Sequence, residues 1–302
     1  MKKLVFLLSV ASLFSAENVA KSQVIANTIT GAEGAQITDI HKRIREFVDK
    51  YKAEHEPQKF TAVAGVVFGR FKDTSSKALP LNGHNRMGVL ALGYQFTPKI
   101  SSSISFIKGI TNEKSESETL KAKSTDKTVA LSFDYRLLEW LTLSLSYQEK
   151  HGKTITTVLK QKNVDATSKN IFRTPGFSVK MIFPVNKNIF FGPDVGINRS
   201  CIYNKAYIDN AGVQQAKRTL HLDQMVANTK LGYVVNHNVI PYASVGYSRT
   251  LSYGDPLKSK NSFRVGAGAI LLGGMVTLDW TASRANQSVT SNNVSLNLAV
   301  KF

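Results

Sequence analysis

Histidines and carboxylates are the residues of this chain whose types and spacing could support chemistry. The sequence has six histidines, and one of them, His221, stands two residues before Asp223. Such a pair acts as a general base when the carboxylate orients the imidazole toward a bound water molecule. A solvated pair at the edge of a loop is the simpler interpretation, and we favour it. Because Ser and Thr are frequent throughout, they single out no nucleophile, and the sequence predicts no catalytic residue.

Sequence motifs for other kinds of site are missing as well. The chain has no GxSxG, no phosphate-binding P-loop, no HExxH and no cysteine cluster that could hold a metal. Cys201 is the single cysteine, which excludes an intrachain disulfide framework. The run GAGAILLGG at 266–274 lacks dinucleotide-binding spacing and is typical of a strand followed by a tight turn. We therefore expect no cofactor, no metal and no enzymatic activity.

The chain is strongly basic, with 39 Lys and Arg residues against 21 Asp and Glu and a net charge of +18. Such a balance indicates either a nucleic-acid partner, an acidic membrane surface, or simply charged loops. Here the charges are spread over the segments between apolar stretches and form neither one helix face nor one compact patch. We therefore expect no nucleic-acid partner.

The N-terminal part of the chain differs in pattern from the rest. Residues 1–16 combine two lysines with an apolar stretch too short to span a membrane as a helix, which predicts a secretory signal peptide. Residues 17–37 are small and polar and predict a flexible lead. Residues 38–56 have apolar residues at helical spacing and end before a proline, which predicts an amphipathic helix. The residues of this helix that we select as candidate contacts are Ile40, Arg43, Ile44, Phe47 and Tyr51.

Over 57–302 the hydrophobic period is two. In EWLTLSLSYQ, residues 139–148, apolar residues alternate with polar ones. Alternate side chains of a strand point to opposite faces, so each such strand has one apolar and one polar face. Twelve segments follow the pattern, at approximately 60–71, 86–96, 99–109, 127–137, 139–149, 171–183, 187–202, 221–235, 238–250, 261–272, 275–284 and 290–302. We predict an all-β fold, an antiparallel sheet of these twelve strands.

The links between these strands alternate in length. Long polar links at 72–85, 110–126, 150–170 and 203–220 are separated by short ones such as 97–98 and 184–186. This alternation is typical of a transmembrane up-and-down barrel with one rim outside and the other in the periplasm. A soluble β-sandwich has the same period, but its strands are usually shorter, about 5–6 residues. We therefore predict a closed β-barrel in the outer membrane of a Gram-negative-type bacterium, in which the charged segment 111–127 is a mobile external loop.

The last strand, NVSLNLAVKF, resembles the C-terminal signature of outer-membrane barrels, which ends in an aromatic residue. The resemblance implies that the barrel-assembly machinery reads this strand. The signal residues would be Val294, Leu296, Leu298, Val300 and Phe302. A helix before twelve strands, together with VIPYASVGYSR at 239–249, resembles more narrowly the translocator domain of autotransporters. That family implies that the helix at 38–56 threads the barrel lumen.

Small and charged residues fall on the face that the alternation assigns to the lumen. The inward glycines either leave room for a helix or allow close packing within the wall, and the sequence does not choose between these roles. They are Gly93, Gly176, Gly192, Gly196, Gly232, Gly246, Gly266 and Gly268. The candidate lumen charges, which could pair with charges of the helix, are Asp134, Arg136, Lys180, Asp194, Lys230, Arg264, Asp279 and Lys301.

These features together predict a non-enzymatic, autotransporter-like translocator pore. About twenty residues separate the signal peptide from the helix, so we expect no evident passenger. The alternatives are a small diffusion channel and, after it, a surface adhesin or an outer-membrane hydrolase. We expect a monomer whose partners are the barrel-assembly machinery, outer-membrane lipid and lipopolysaccharide, with basic external loops bound to lipid phosphates. The loop candidates are Lys72, Lys77, Lys150, Lys153, Lys160, Lys162, Lys205, Lys217 and Arg218.

Overall fold

A computed structural model gives the fold. It describes residues 60–74, 80–117, 120–158, 164–186, 188–204, 207–208, 214–215, 218–236, 238–253, 260–285 and 289–301. The expected signal peptide at 1–16, the lead at 17–37 and the helix at 38–56 lie outside the described residues, as does Phe302. Among the residues that are described, no helix is long and apolar enough to cross a membrane.

Twelve long strands make up most of the described chain. They are β1 (Phe60–Asp73), β2 (Leu81–Thr97), β3 (Ile100–Ser115), β4 (Leu120–Leu138), β5 (Leu141–Val158), β6 (Val164–Met181), β7 (Ile189–Asn204), β8 (Arg218–Tyr233), β9 (Val239–Tyr253), β10 (Lys260–Leu271), β11 (Val276–Ala285) and β12 (Val289–Lys301). A two-residue strand, Phe183–Pro184, adds to β7, and Tyr207–Ile208 pairs with Gln214–Gln215. A short 3-10 helix, Leu272–Gly274, joins β10 to β11.

The sheet closes on itself. Each strand pairs antiparallel with the strand before and after it in the chain. The first pairs with the last, from Thr61 opposite Lys301 to Asp73 opposite Val289. Because closure removes the sheet edges, the backbone groups of the barrel find partners without water, as hydrocarbon surroundings require. The predicted all-β, antiparallel, twelve-stranded barrel is confirmed.

The two faces of each strand differ as the period of two requires. In β12, the side chains of Val294 and Leu298 are 50% and 51% exposed, whereas those of Ser295 and Asn297 between them are 5% and 3% exposed. The exposed apolar side chains continue around the barrel and form what we name the outward apolar band. Such a band suits contact with lipid, while the buried small and polar side chains line the lumen.

The strands extend further than the sequence predicted at one end of the barrel. Since β3 ends at Ser115 and β4 begins at Leu120, the segment 111–127 is mostly strand, and the prediction of a mobile loop there was wrong. In this region the hydroxyls of Ser124 and Thr154 lie 2.9 Å apart across β4 and β5. Beyond the lipid both faces of a strand are allowed to be polar, so composition does not show where backbone pairing stops. We name the end of the barrel at which β3 ends and β4 begins the outer end.

Short turns join the strands at the opposite end, which we name the turn end. Thr97 Oγ1 accepts a hydrogen bond from the backbone N–H of Ile100 at 3.0 Å. Asn186 Oδ1 accepts hydrogen bonds from the backbone N–H groups of Asn188 and Ile189, each at 2.8 Å. These side chains satisfy amides that the strand ladder leaves open. The turns therefore fix the register of each hairpin, and the register decides which side chains face the lumen.

Candidate functional site in the barrel lumen

The inward face of the barrel is the surface on which a pore would act. Seven of the candidate lumen charges alternate with outward neighbours, so the structure places them on this inward face. They are Asp134, Arg136, Lys180, Asp194, Lys230, Arg264 and Asp279. For the eighth, Lys301, the backbone lies opposite Thr61 and continues the same alternation along β12.

One buried ion pair links two of these charges. Lys180 Nζ on β6 lies 3.3 Å from Asp134 Oδ1 on β4, and both side chains are buried. The pair spans the intervening strand β5, where Ser144 lies directly opposite Asp134. A serine at this position leaves space that a larger inward side chain would fill. The two opposite charges are thus neutralised within the lumen wall itself.

A second buried ion pair corrects a prediction. Lys150 was expected in a basic external loop, but it lies on β5 and points into the lumen, with only 4% of the residue exposed. Its Nζ is 3.0 Å from Asp126 Oδ2 on β4 and 5.7 Å from the ring centre of Phe172. The prediction was wrong because the strand continues past the end of the apolar pattern. Lys150 is therefore a lumen residue and does not face lipid headgroups.

A tyrosine and an aspartate meet in the lumen, close to the end of the barrel at which short turns join the strands. Tyr242 on β9 donates a hydrogen bond to Asp279 Oδ1 on β11, and Lys230 Nζ lies 4.8 Å from the centre of the tyrosine ring. On the strand between them, Gly268 lies opposite both Tyr242 and Asp279. A methyl group at Gly268 would come within 2.6 Å of the tyrosine hydroxyl. This contact therefore requires glycine on the middle strand.

The same arrangement recurs between β8 and β10. Arg264 Nη2 donates a hydrogen bond to Asn228 Oδ1 at 2.7 Å, and the two side chains meet over Gly246, where a methyl group would lie 2.5 Å from that oxygen. Of the two roles left open for the inward glycines, these contacts favour close packing within the wall. Gly93 and Gly192 differ, because a methyl group there would have no neighbour closer than 3.8 and 3.5 Å.

The histidine pair considered as a general base is not formed. Asp223 accepts two hydrogen bonds from Arg199, at 2.8 and 2.9 Å. His221 Nδ1 instead lies 3.3 Å from Cys201 Sγ. Because Asp223 is engaged by the arginine, it does not orient the imidazole. Within the part of the chain that the structure describes, no group of three or more His, Cys, Asp or Glu side chains could hold a metal ion.

Most residues of the expected assembly signal lie on the outward face. The side chains of Val294, Leu296, Leu298 and Val300 are all exposed in the outward apolar band. Phe302 lies outside the described residues. The recognition of this strand by the assembly machinery stays a prediction.

A ring of cations on the outward face was not predicted from the sequence. On eight strands, the outward residue that follows the apolar band toward the outer end is Lys or Arg, as where Lys127 follows Val129 on β4. We name these exposed residues the basic ring: Arg70, Arg86, Lys108, Lys127, Arg173, Arg199, Arg249 and Arg284. The signal that could have found it is a basic residue two positions beyond each alternating apolar run. It was missed because the charges were assigned to loops.

Comparison with known proteins gives the fold its context. No protein-family model matches the chain, and no curated protein does. Among solved structures, the translocator domain of the autotransporter NalP from Neisseria meningitidis has a TM-score of 0.69 at 12% identity, over 89% of this chain and 97% of that one. The β-domain of the Bordetella autotransporter BrkA has a TM-score of 0.62 at 13% identity, over 80% of this chain and 99% of that one.

An outer membrane channel from Pseudomonas putida is also similar, with a TM-score of 0.55 at 13% identity, over 82% of this chain and 97% of that one. At these identities the similarity concerns the fold. The three likenesses agree with the closed barrel and its outward apolar band. The chain thus has the fold of autotransporter translocator domains, a closed twelve-stranded β-barrel.

Proposed function

We propose that this protein is a non-enzymatic, autotransporter-like translocator pore in the outer membrane, exported by the signal peptide at 1–16, with the helix at 38–56 in its lumen. The observation that carries the proposal is a closed twelve-stranded barrel with an apolar outward face and a polar lumen wall. A barrel of about eight strands is just filled by its own side chains, so twelve strands enclose additional space. An amphipathic helix is an element of suitable length and shape to occupy that space.

The partners of the wall charges shape this proposal. Asp134 pairs with Lys180, and Asp126 with Lys150, so these charges need no counterions from an inserted helix. A helix in such a lumen packs against a wall in which these two pairs of buried charges are already neutralised. It therefore enters and leaves without exposing unpaired buried charges, as a translocator requires. Because Asp134 and Lys180 pair with each other, we do not expect ion pairs with these two candidate lumen charges to hold the helix.

A small diffusion channel is the second candidate, and the similarity to a solved outer membrane channel favours it. The wall contacts suit both candidates, because a neutralised polar wall also passes small solutes. The two functions differ in where residues 38–56 lie. In a channel they lie outside the pore, and in a translocator they close it.

Single-channel conductance in planar bilayers separates the two functions. We compare the mature chain, a variant lacking residues 17–37 and a variant lacking residues 17–56. If the helix closes the lumen, the first two stay closed and only the last conducts. Equal conductance in all three would contradict the translocator proposal and support the channel. The shorter deletion is the matched control, because it removes the lead and keeps the helix.

A further inference from the structure

We propose that the outward face formed by β12 and β1–β5 binds a phosphorylated, acylated lipid of the outer leaflet. A groove of about 860 Å³ lies on this face, within the range of about 300–1,000 Å³ that is typical of small-ligand sites. Its lower part lies in the outward apolar band and its upper part reaches the basic ring. The site is outside the lumen, so it does not depend on the pore function proposed above.

The apolar part of the groove exists because two small residues form its floor. Ala64 on β1 and Gly88 on β2 both point outward and both line the groove. A methyl group added at Gly88 would meet no atom within 4 Å, so the space above it is open. Larger residues on the neighbouring strands, among them Leu90 and Phe106, form the sides. Within the membrane, an acyl chain is the ligand that would fill this apolar groove and cover Ala64 and Gly88.

The other part of the groove is cationic. Lys108 on β3 lies directly opposite Lys127 on β4, and Lys127 lies opposite His151 on β5. Three nitrogen-bearing side chains therefore stand in one row across three strands. Among the described residues, the ammonium groups of Lys108 and Lys127 have no hydrogen-bond or ion-pair partner.

The one carboxylate in the groove is already engaged. Glu149 contacts His151 Nε2 at 2.7 Å and Arg173 Nε at 3.0 Å. Its negative charge is thus offset by the guanidinium of Arg173 and does not neutralise Lys108 and Lys127. The positive charge of Lys108 and Lys127 remains available for an anion from outside the chain.

The position of Lys108 and Lys127, which we name the lysine row, indicates which ligand occupies the groove. Lipid phosphates lie where the hydrocarbon of the membrane ends, and the row stands where the outward apolar band gives way to the basic ring. A phosphate bound there brings its own acyl chains into the apolar groove, which a free phosphate does not. A second copy of this chain would place another lysine row against the first, which is unfavourable for a protein of net charge +18.

The test is a native mass spectrometry titration of the full mature chain, folded in detergent, with bis-phosphorylated lipid A as the probe. The double variant Lys108→Gln and Lys127→Gln should weaken binding about thirtyfold, since each cation at a membrane surface contributes about one factor of five. Gly88→Leu fills the groove without altering charge and should also weaken binding at least fivefold. The matched control is Lys121→Gln with Lys123→Gln, which removes the same charge from the same face of β4 beyond the groove and should weaken binding less than fivefold. An unchanged unfolding midpoint in urea shows that each variant is folded.

Several results would overturn the proposal. Equal losses in the two lysine double variants would mean diffuse attraction to the charged face. If dephosphorylated lipid A bound equally well, the groove would not recognise the phosphate. If inorganic phosphate at low millimolar concentration displaced the lipid, the acyl chains would not contribute to binding. A lipid-free dimer that Gly88→Leu dissociates would assign the groove to a second copy of the chain.

Discussion

Lys150 and Lys127 lie on neighbouring strands, yet their surroundings are opposite. Lys150 points into the lumen, is buried, and forms an ion pair with Asp126. Lys127 points outward, is exposed, and has no such partner among the described residues. The difference teaches that the buried cations of the inner wall are paired with carboxylates of its own strands, whereas the outer face leaves some of its cations, among them Lys127, for anions in its surroundings. A charge that is buried in the wall needs a partner because it is shielded from water, whereas a charge exposed on the outer face does not.

The largest loss of stability is expected when one partner of a buried ion pair in the lumen is removed. Replacing Asp134 with Asn removes the carboxylate that lies 3.3 Å from the buried Lys180 ammonium group, and removing one partner of a buried ion pair typically costs about 3–5 kcal/mol of folding free energy. Because water in the lumen can partly solvate the Lys180 ammonium group, we expect a loss of folding free energy near the lower end of this range. The measurement is urea unfolding of the folded barrel in detergent micelles, followed by tryptophan fluorescence.

A double variant provides the control for this prediction. Asp134→Asn combined with Lys180→Met removes both charges, so we expect most of the stability to return. If the double variant were as unstable as the single one, the loss would come from packing around Asp134, and the self-neutralising wall would not be a source of stability.

Two glycines sharpen the comparison between the faces. Gly268→Ala inserts a methyl group within 2.6 Å of the Tyr242 hydroxyl in the inner wall, and such overpacking costs about 1–3 kcal/mol. Gly88→Ala inserts the same group into open space on the outer face, where alanine should be neutral or slightly stabilising. Unfolding midpoints of the two variants, measured side by side, check this. Equal midpoints would contradict the close packing inferred for the inner glycines.

A smaller effect is expected for an outward ion pair. Arg199 binds Asp223 through two hydrogen bonds, but the arginine side chain is 67% exposed. Solvent screens such pairs, so Asp223→Asn should cost about 0.2–1 kcal/mol. A midpoint shift as large as that of Asp134→Asn would show that the outer face depends on internal ion pairs as much as the lumen does. Raising the salt concentration should reduce the difference from the unaltered chain.

The sequence predicted the fold well because lipid contact imposes strict alternation on one face. Val294, Leu296 and Leu298 could face lipid only if every second residue of β12 were apolar, and this period also revealed which residues face inward. No such constraint acts beyond the membrane, where the ends of β3 and β4 were predicted too early. There the sequence lacks the contrast that separates strand from loop.

The partners within the lumen wall could not be predicted for a different reason. Asp134 and Lys180 are 46 residues apart and meet across an intervening strand. Which inward residues meet in this way depends on the stagger between strands, and a single sequence does not specify that stagger. The roles of Gly246 and Gly268 depend on the same stagger, since their neighbours come from strands on both sides.

The smallest effect concerns a contact beyond the membrane, at the outer end. Lys72 Nζ lies 2.6 Å from Glu116 Oε1, and both side chains are well exposed. The hydrogen bond from Lys72 lowers the pKa of Glu116 below its ordinary value of 4.5. A carboxyl whose pKa is depressed by folding adds stability above its ordinary pKa and loses it as the pH falls through the depressed value. We therefore expect this contact to be intact at neutral pH and lost only under acid conditions, below pH 4.5.

Carbon NMR of the labelled Glu116 side chain measures that pKa directly. In Lys72→Gln the pKa of Glu116 should rise toward its ordinary value, while the unfolding midpoint at neutral pH should barely move, because solvent screens the pair. Lys121→Gln removes a cation from the same end of the barrel that is not among the groups shifting the pKa of Glu116, and should leave that pKa unchanged. If both variants raised the pKa equally, the general positive charge of the outer end would be the cause. Lys72 would then resemble the outward Lys127, which has no partner among the described residues, more than the paired lysines of the lumen.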